Sequence, residues 1–227
     1  MKRIVITIDG PAGAGKSTVS RTLAQRLGYR YVDTGAMYRV IGVLAAEQRI
    51  ELTDASALAI LCDTVTIRFE PEGERVRILA DGRDISDLIR SAAAGQLASK
   101  VSTAPAVRER LVAQQRALGA GGGVVMEGRD IGTVVFPDAP LKIFLDASPM
   151  ERAQRRATEL QARGERVDLD AMAREIAERD ARDRTREHSP LRPADDAHVI
   201  DSTGRSIAAI VNELLALAQR AQGIERA

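Results

Sequence analysis

The octapeptide Gly10-Pro11-Ala12-Gly13-Ala14-Gly15-Lys16-Ser17 constrains this chain more than any other stretch. It follows a β-branched apolar run at residues 4–8 and opens a helical pattern at residues 17–27 that stops at Gly28. Strand, glycine-rich loop, Lys-Ser and helix in that order make a phosphate-binding P-loop. The glycines let successive backbone N–H groups turn towards one anion, and the helix behind them adds its positive end. Lys16 is expected to reach the β- and γ-phosphates of a nucleoside triphosphate, with the Ser17 hydroxyl as a Mg2+ ligand.

The rest of the chain extends this unit. Apolar runs recur at residues 29–32, 123–126, 142–145 and 198–200, and helical patterns run over 105–118, 149–163 and 206–218. A further charged helix follows Asp168 and Asp170 and reaches about residue 186. Continuous apolar strands alternating with helices predict an α/β fold with a five-stranded parallel sheet flanked by helices and ligands at the strand C-termini. Residues 64–85 break the rhythm: Val65, Ile67 and Phe69 alternate with polar residues, 71–74 reads as a turn, and Val76 and Ile78 alternate again. This predicts a β-hairpin or small meander inserted in the α/β core, too small to hold a core of its own.

Composition narrows the function. With 227 residues, 44% hydrophobic and 29% charged, the sequence has the balance of a globular protein. A net charge of +1 lacks the basic excess of a nucleic-acid binder. The single Cys62 cannot form an intramolecular disulfide or a thiolate zinc site, and is expected to be a small buried residue on a helix. No run approaches the length of a membrane span, and the apolar run after Met1-Lys2-Arg3 is too short for a signal peptide. The expectation is a cytoplasmic protein without membrane or nucleic-acid partners. No dimer seam is visible at helical spacing, so a monomer is expected. His188 and His198 lack ligand spacing and are expected to be structural or solvated.

P-loops also serve switches, so an acceptor site must be sought elsewhere. The Asn-Lys-x-Asp loop of a guanine-specific switch is missing from the sequence. Arginines are gathered instead where an acceptor phosphate would need them. In Asp33-Thr34-Gly35-Ala36-Met37-Tyr38-Arg39, Thr34 reads as a helix cap and Arg39 as a phosphate ligand or a surface ion pair. Glu127-Gly128-Arg129-Asp130 ends the third strand, where Arg129 can fork onto phosphate oxygens. In the run from Arg179 to Arg186, positions 179, 182, 183 and 186 share a helix face, three guanidinium groups around Asp183. Arg152, Arg155, Arg156, Arg163 and Arg166 border Gly164 in an expected flap, which would deliver arginines and exclude water.

These stretches, with Glu127 to Ala139, Lys142-Ile143-Phe144-Leu145-Asp146-Ala147-Ser148 and the Arg-Asp helix, resemble the bacterial cytidylate kinases in order from residue 4 to residue 210. The resemblance implies a P-loop nucleoside monophosphate kinase fold and transfer of the γ-phosphoryl group of ATP to CMP or dCMP, with Mg2+. It implies a single kinase domain over 1–227: a core of about 1–34, 101–151 and 187–227, a monophosphate-binding region with the β insertion at about 35–100, and a lid with the Arg-rich helix at about 152–186. By matched position, Gly10 to Thr18 hold ATP, with Arg155 and Arg163 chosen among the lid arginines. Arg39, Arg129 and Arg186 would hold the acceptor phosphate, Ser99, Arg108 and Asp130 would read cytosine, and Arg179 and Asp183 would lie at the ribose with Thr34 nearby. Lys16, Arg129, Arg179 and Arg186 would stabilise the transferring group, and Glu127 would hold a Mg2+-bound water.

Cytosine offers an amino donor at N4 beside acceptors at N3 and O2, which suits Asp130 and Arg108 respectively. Uracil reverses that edge and would leave both side chains facing like partners. The rival readings are a kinase for another small acceptor, such as UMP, AMP or shikimate, and a P-loop regulatory protein with no acceptor at all.

Overall fold

The computed structural model describes residues 3–73, 75–162, 164, 166–186 and 189–223. The chain divides into two compact units, Met1–Tyr31 with Gly119–Ala227, and Val32–Leu118. The first is built on strands β1 (Val5–Asp9), β2 (Arg30–Asp33), β6 (Val124–Gly128), β7 (Leu141–Asp146) and β8 (His198–Asp201), in the order β2-β6-β1-β7-β8, with β2 carrying the chain into the second unit. β1 pairs in parallel with β6 and β7, and β7 with β8. All five expected strands are present.

Burial on both faces explains the continuous apolar runs. Ile4, Ile6 and Ile8 pack with Val19 and Leu23 of helix α1 (Lys16–Leu27) and with Ile210, Val211 and Leu214 of helix α8 (Ile207–Ala221). α1 stops at Gly28, whose left-handed backbone turns its N–H onto the last helical carbonyls. Helix α6 (Pro149–Gln161) starts on Pro149 behind the Ser148 cap. Helix α7 (Leu169–Thr185) is capped by Asp168, whose carboxylate accepts from Asp170 N and Ala171 N.

The second unit holds helices α2 (Thr34–Glu47), α3 (Ala55–Thr64), α4 (Ala92–Val101) and most of α5 (Pro105–Gly119), with an antiparallel sheet of β3 (Ile67–Glu72), β4 (Arg75–Ala80) and β5 (Arg83–Asp84). The β insertion is therefore a three-stranded meander. Its first turn is tighter than the expected 71–74: Pro71 and Glu72 remain paired with Val76 and Arg75, and Gly73 turns at φ +57. β3 is an edge strand, where a proline costs little pairing. The insertion shares a core with the helices, since Ile78 and Ala80 are buried in the cluster of Met37, Ile41, Leu58 and Leu111. Cys62 is buried there on α3, and burial pushes its thiol up to about 11. Among the described residues, no helix is long and apolar enough to cross a membrane.

Candidate active site

The P-loop leaves β1 at Gly10, where φ is +148 and a Cβ would stand 2.0 Å from the Leu145 carbonyl oxygen. No other residue fits there. Gly13, at φ +78, lies against Arg152. α1 begins behind a left-handed Gly15 and has no side-chain cap, so its first N–H groups are left for an anion. Lys16 is 7% exposed and its Nζ donates to the Pro11 carbonyl at 2.7 Å. Burial and Arg129 push its ammonium down to about 7, with Arg179 adding to them and Glu127 and Asp9 opposing. A cation so placed gains most when an anionic phosphate arrives.

The end of β6 carries the next group. Buried Glu127 accepts from the Tyr31 hydroxyl. Arg129 Nε donates to Asp183 Oδ2 at 2.9 Å, and Asp130 Oδ1 lies 3.9 Å from Arg186 Nη2. Burial alone would raise the Asp183 carboxyl, but Arg129, Arg179 and Arg186 outweigh it and hold the group below its ordinary value. Within one unit, then, the fold brings together Lys16, Arg129, Asp130, Arg179, Asp183 and Arg186. Their alternating charges keep a dense cationic group tolerable in a part-buried place.

The Arg-rich helix differs in detail from the expected face. Arg182 is exposed, and the inward row runs Ile176, Arg179, Asp180, Asp183. Asp180 takes the inward position because its carboxylate meets Arg152 at 2.6 Å. Arg186 caps the helix rather than lying in it, and its Nε donates to Ser189 O at 2.5 Å.

Two of the expected flap arginines are tied to the P-loop. Arg152 is 3% exposed and donates to Ala147 O at 3.0 Å and Ala12 O at 3.1 Å. It is a buried strut between loop and helices and cannot swing in as a flap residue. Arg155 donates to Ser202 Oγ at 2.9 Å, Ser202 O at 2.8 Å and Ala14 O at 3.4 Å. Its Nη1 stands 3.5 Å from where a Gly15 Cβ would be. Arg156 is paired with Glu159 on the outside of α6. Arg163 and His188 lie outside the described residues, and His198 is exposed at the start of β8.

In the second unit, Thr34 is buried as the first residue of α2, and the cap is Asp33, whose Oδ1 accepts from Ala36 N at 2.9 Å. Asp and Thr are both good caps; the chain turns one residue earlier, so Asp33 reaches the third helical N–H. The other Asp33 oxygen pairs with Arg39 Nη2 at 2.6 Å, which orients the guanidinium. Arg108 is 7% exposed, with Nη1 3.5 Å from the Tyr38 hydroxyl. Ser99 is half-buried on α4 and its carbonyl accepts from Ser102 Oγ at 2.9 Å.

Sequence reading missed Asp9, Tyr31, Asp180 and Ser202. Asp9 alone left a signal, an acid at the last strand position before the glycine loop. Its Oδ1 accepts from Ile131 N at 2.9 Å and its Oδ2 from Gly132 N at 2.8 Å. Burial pushes its carboxyl up to about 7 although these bonds pull it down.

Among the described residues no three acidic, His or Cys side chains converge on a metal site. What the loop offers is the exposed Ser17 hydroxyl, with Glu127 as the buried acid at the end of the neighbouring strand. A sparse, all-oxygen set of this kind fits Mg2+ carried in on the phosphates rather than in a protein cage.

Solved structures share the fold, and related sequences show the family. A chain described as an uncharacterized protein from Eubacterium ventriosum shares the fold with a TM-score of 0.52 at 12% identity, covering 94% of this chain and 97% of that one. A gluconokinase from Sinorhizobium meliloti does so at 0.50 and 17%, covering 98% and 96%. Closer in sequence, the cytidylate kinase of Pelotomaculum thermopropionicum is 51% identical over 212 residues, 93% of this chain and 94% of that protein. The cytidylate kinase of Yersinia pestis (strain Pestoides F) is 45% identical over 216 residues, 95% and 94%. The family profile described as cytidylate kinase matches residues 6–220, and the chain belongs to the cytidylate kinase family.

Proposed function

We propose that this chain transfers the γ-phosphoryl group of ATP to CMP or dCMP, giving ADP and CDP or dCDP. The observation that carries the reading is the set around Lys16: Arg129 and Arg179 are near enough to lower its pKa, so donor-side and acceptor-side cations face one place. A phosphate oxygen of the acceptor is already an anion and attacks the γ-phosphorus without a general base. The new P–O bond forms as the bond from the γ-phosphorus to the β,γ-bridging oxygen breaks, and ADP leaves with that electron pair. The loop N–H groups and Lys16 hold the β- and γ-phosphates, while Arg129, Arg179 and Arg186 neutralise charge on the equatorial oxygens. Ser17, with Glu127 through water, would hold Mg2+, which when bound neutralises the ATP phosphates.

In the same proposal Arg39, Arg129 and Arg186 take the acceptor phosphate, Ser99, Arg108 and Asp130 the base, and Arg179, Asp183 and Thr34 the ribose side. Residues 35–100 form the monophosphate-binding region, and 152–186 the lid with its Arg-rich helix. A monomer in the cytoplasm completes the proposal; the buried, solitary Cys62 thiol is compatible with a reducing compartment.

Steady-state kinetics of Asp130→Ala test the base assignment. CMP should lose its advantage over UMP by about tenfold or more, whereas an unchanged ratio would remove Asp130 from the base site.

A further inference from the structure

Asp130 stands at the N-cap position of a π-helical turn, Ile131–Val135, with its carbonyl accepting from Val134 N at 2.9 Å and Val135 N at 3.3 Å. An aspartate there ordinarily folds its own carboxylate back onto the second or third N–H of the turn, here Gly132 or Thr133. Here its side chain makes no cap bond and instead lies 3.9 Å from Arg186. The first two N–H groups of the turn, Ile131 and Gly132, are taken by Asp9 from the end of β1, one carboxylate oxygen each.

We propose that Asp9 is a positioning residue for acceptor recognition: by capping the turn in place of Asp130, it keeps the Asp130 carboxylate turned towards the base site and fixes Arg129 beside it. The inference rests on the reading of Asp130 as the residue that meets the cytosine amino group. The arrangement is not the cheapest for stability. Asp9 is deeply buried, and its two bonds do not cancel the desolvation of its carboxylate. Register supports the coupling, since Asp9 pairs with Gly128, the residue before Arg129. Gly132 is part of the device: a Cβ there would stand 2.9 Å from Thr7 Oγ1, 3.3 Å from Lys142 Cδ and 3.4 Å from Asp9 Oδ2. The tight approach is to Thr7 Oγ1 on β1, so a methyl there would push the turn off the strand that carries Asp9.

The experiment is a set of steady-state measurements on Asp9→Asn, Gly132→Ala and Asp130→Ala, with CMP, UMP and ATP each varied. Asp9→Asn turns an amide NH2 towards one of the two N–H groups; Gly132→Ala crowds Thr7 Oγ1 and shifts the capped turn against β1 without changing any charge, so it decides the matter should Asp9→Asn fail to fold. Both are expected to raise KM for CMP about tenfold and to cut the CMP-over-UMP ratio of kcat/KM by a similar factor. KM for ATP in Gly132→Ala should stay within about twofold, and adding Asp9→Asn to Asp130→Ala should leave the ratio where Asp130→Ala alone put it. A ratio that collapses in Asp130→Ala but keeps its wild-type value in folded Asp9→Asn or Gly132→Ala overturns this inference alone. A wild-type ratio in Asp130→Ala overturns the base assignment, and this inference with it.

Discussion

Arg129 and Asp183 are joined by a 2.9 Å bond from Nε to Oδ2, with 19% and 10% of their side chains exposed. The bond ties the strand end that carries Arg129, the proposed phosphate ligand, to the helix proposed to border the ribose. Pairing a cation with an acid weakens its charge only modestly and fixes its plane, which counts for more in a bidentate phosphate contact. Removing the acid should therefore loosen the acceptor site rather than sharpen it. Asp183→Ala is expected to raise KM for CMP about tenfold or more, leave KM for ATP nearly unchanged, and lower stability by on the order of 2 kcal/mol.

The same pair gives an acid signature. The Asp183 carboxyl is held below its ordinary 3.8, so its ionised form stabilises the native state above that pH and the contribution is lost as pH falls through the depressed native value. The stability gap between wild type and Asp183→Asn, read from urea unfolding, should be constant near neutrality and shrink in acid.

Lys16→Met tests the phosphate cradle. With the ammonium gone, kcat should fall about 100- to 1000-fold. The fold should survive, because the lost charge was buried and its bond to the Pro11 carbonyl is a single contact. Single-turnover kinetics beside a thermal melt separate the two; a loss of folding equal to the loss of activity would contradict the assignment.

Arg152 makes the opposite prediction. Arg152→Met strands the Asp180 carboxylate and frees the Ala12 carbonyl, and is expected to cost about 3–5 kcal/mol in denaturant unfolding. Adding Asp180→Leu should restore much of it, since a well-packed apolar pair replaces a buried ion pair with little penalty. A flap role would instead leave stability untouched.

Asp9 carries a pH dependence of the other sign. Its carboxyl is raised from 3.8 to about 7, so the native state holds a proton the unfolded chain has released, and stability falls as pH rises through that window. In the absence of nucleotides, wild type relative to Asp9→Asn should lose up to about 1.4 kcal/mol per pH unit between about pH 4 and 7. A flat difference would mean that Asp9 is ionised throughout.

These contrasts show which parts of the molecule a sequence displays. The five strands, the P-loop and the Glu127–Asp130 strand end were legible because each is local: period, punctuation and residue type lie within a few positions. The β meander was legible for the same reason, and only its turn, held tight by pairing through Glu72, differed. Thr34 as a cap failed by one residue because Asp33 competes for the same N–H. Arg152 and Arg182 were misread because their surroundings are non-local. Arg152 is fixed by Ala12 and Asp180, distant in sequence, and that contact turns α7 so that Arg182 faces outward. Asp9 stood out only as an acid before the glycine loop; its partners, Ile131 and Gly132, are more than a hundred residues away and left no local sign.

The measurement that reaches the central claim most directly is acceptor-dependent ADP release by the wild-type protein with Mg2+ and ATP, over a panel of CMP, dCMP, UMP, AMP and GMP. Rapid release with CMP and dCMP, and weak release with the other three, is the expected result. Equal turnover with UMP would contradict the cytosine-reading site, and ADP release that no acceptor accelerates would contradict phosphoryl transfer to a nucleotide altogether.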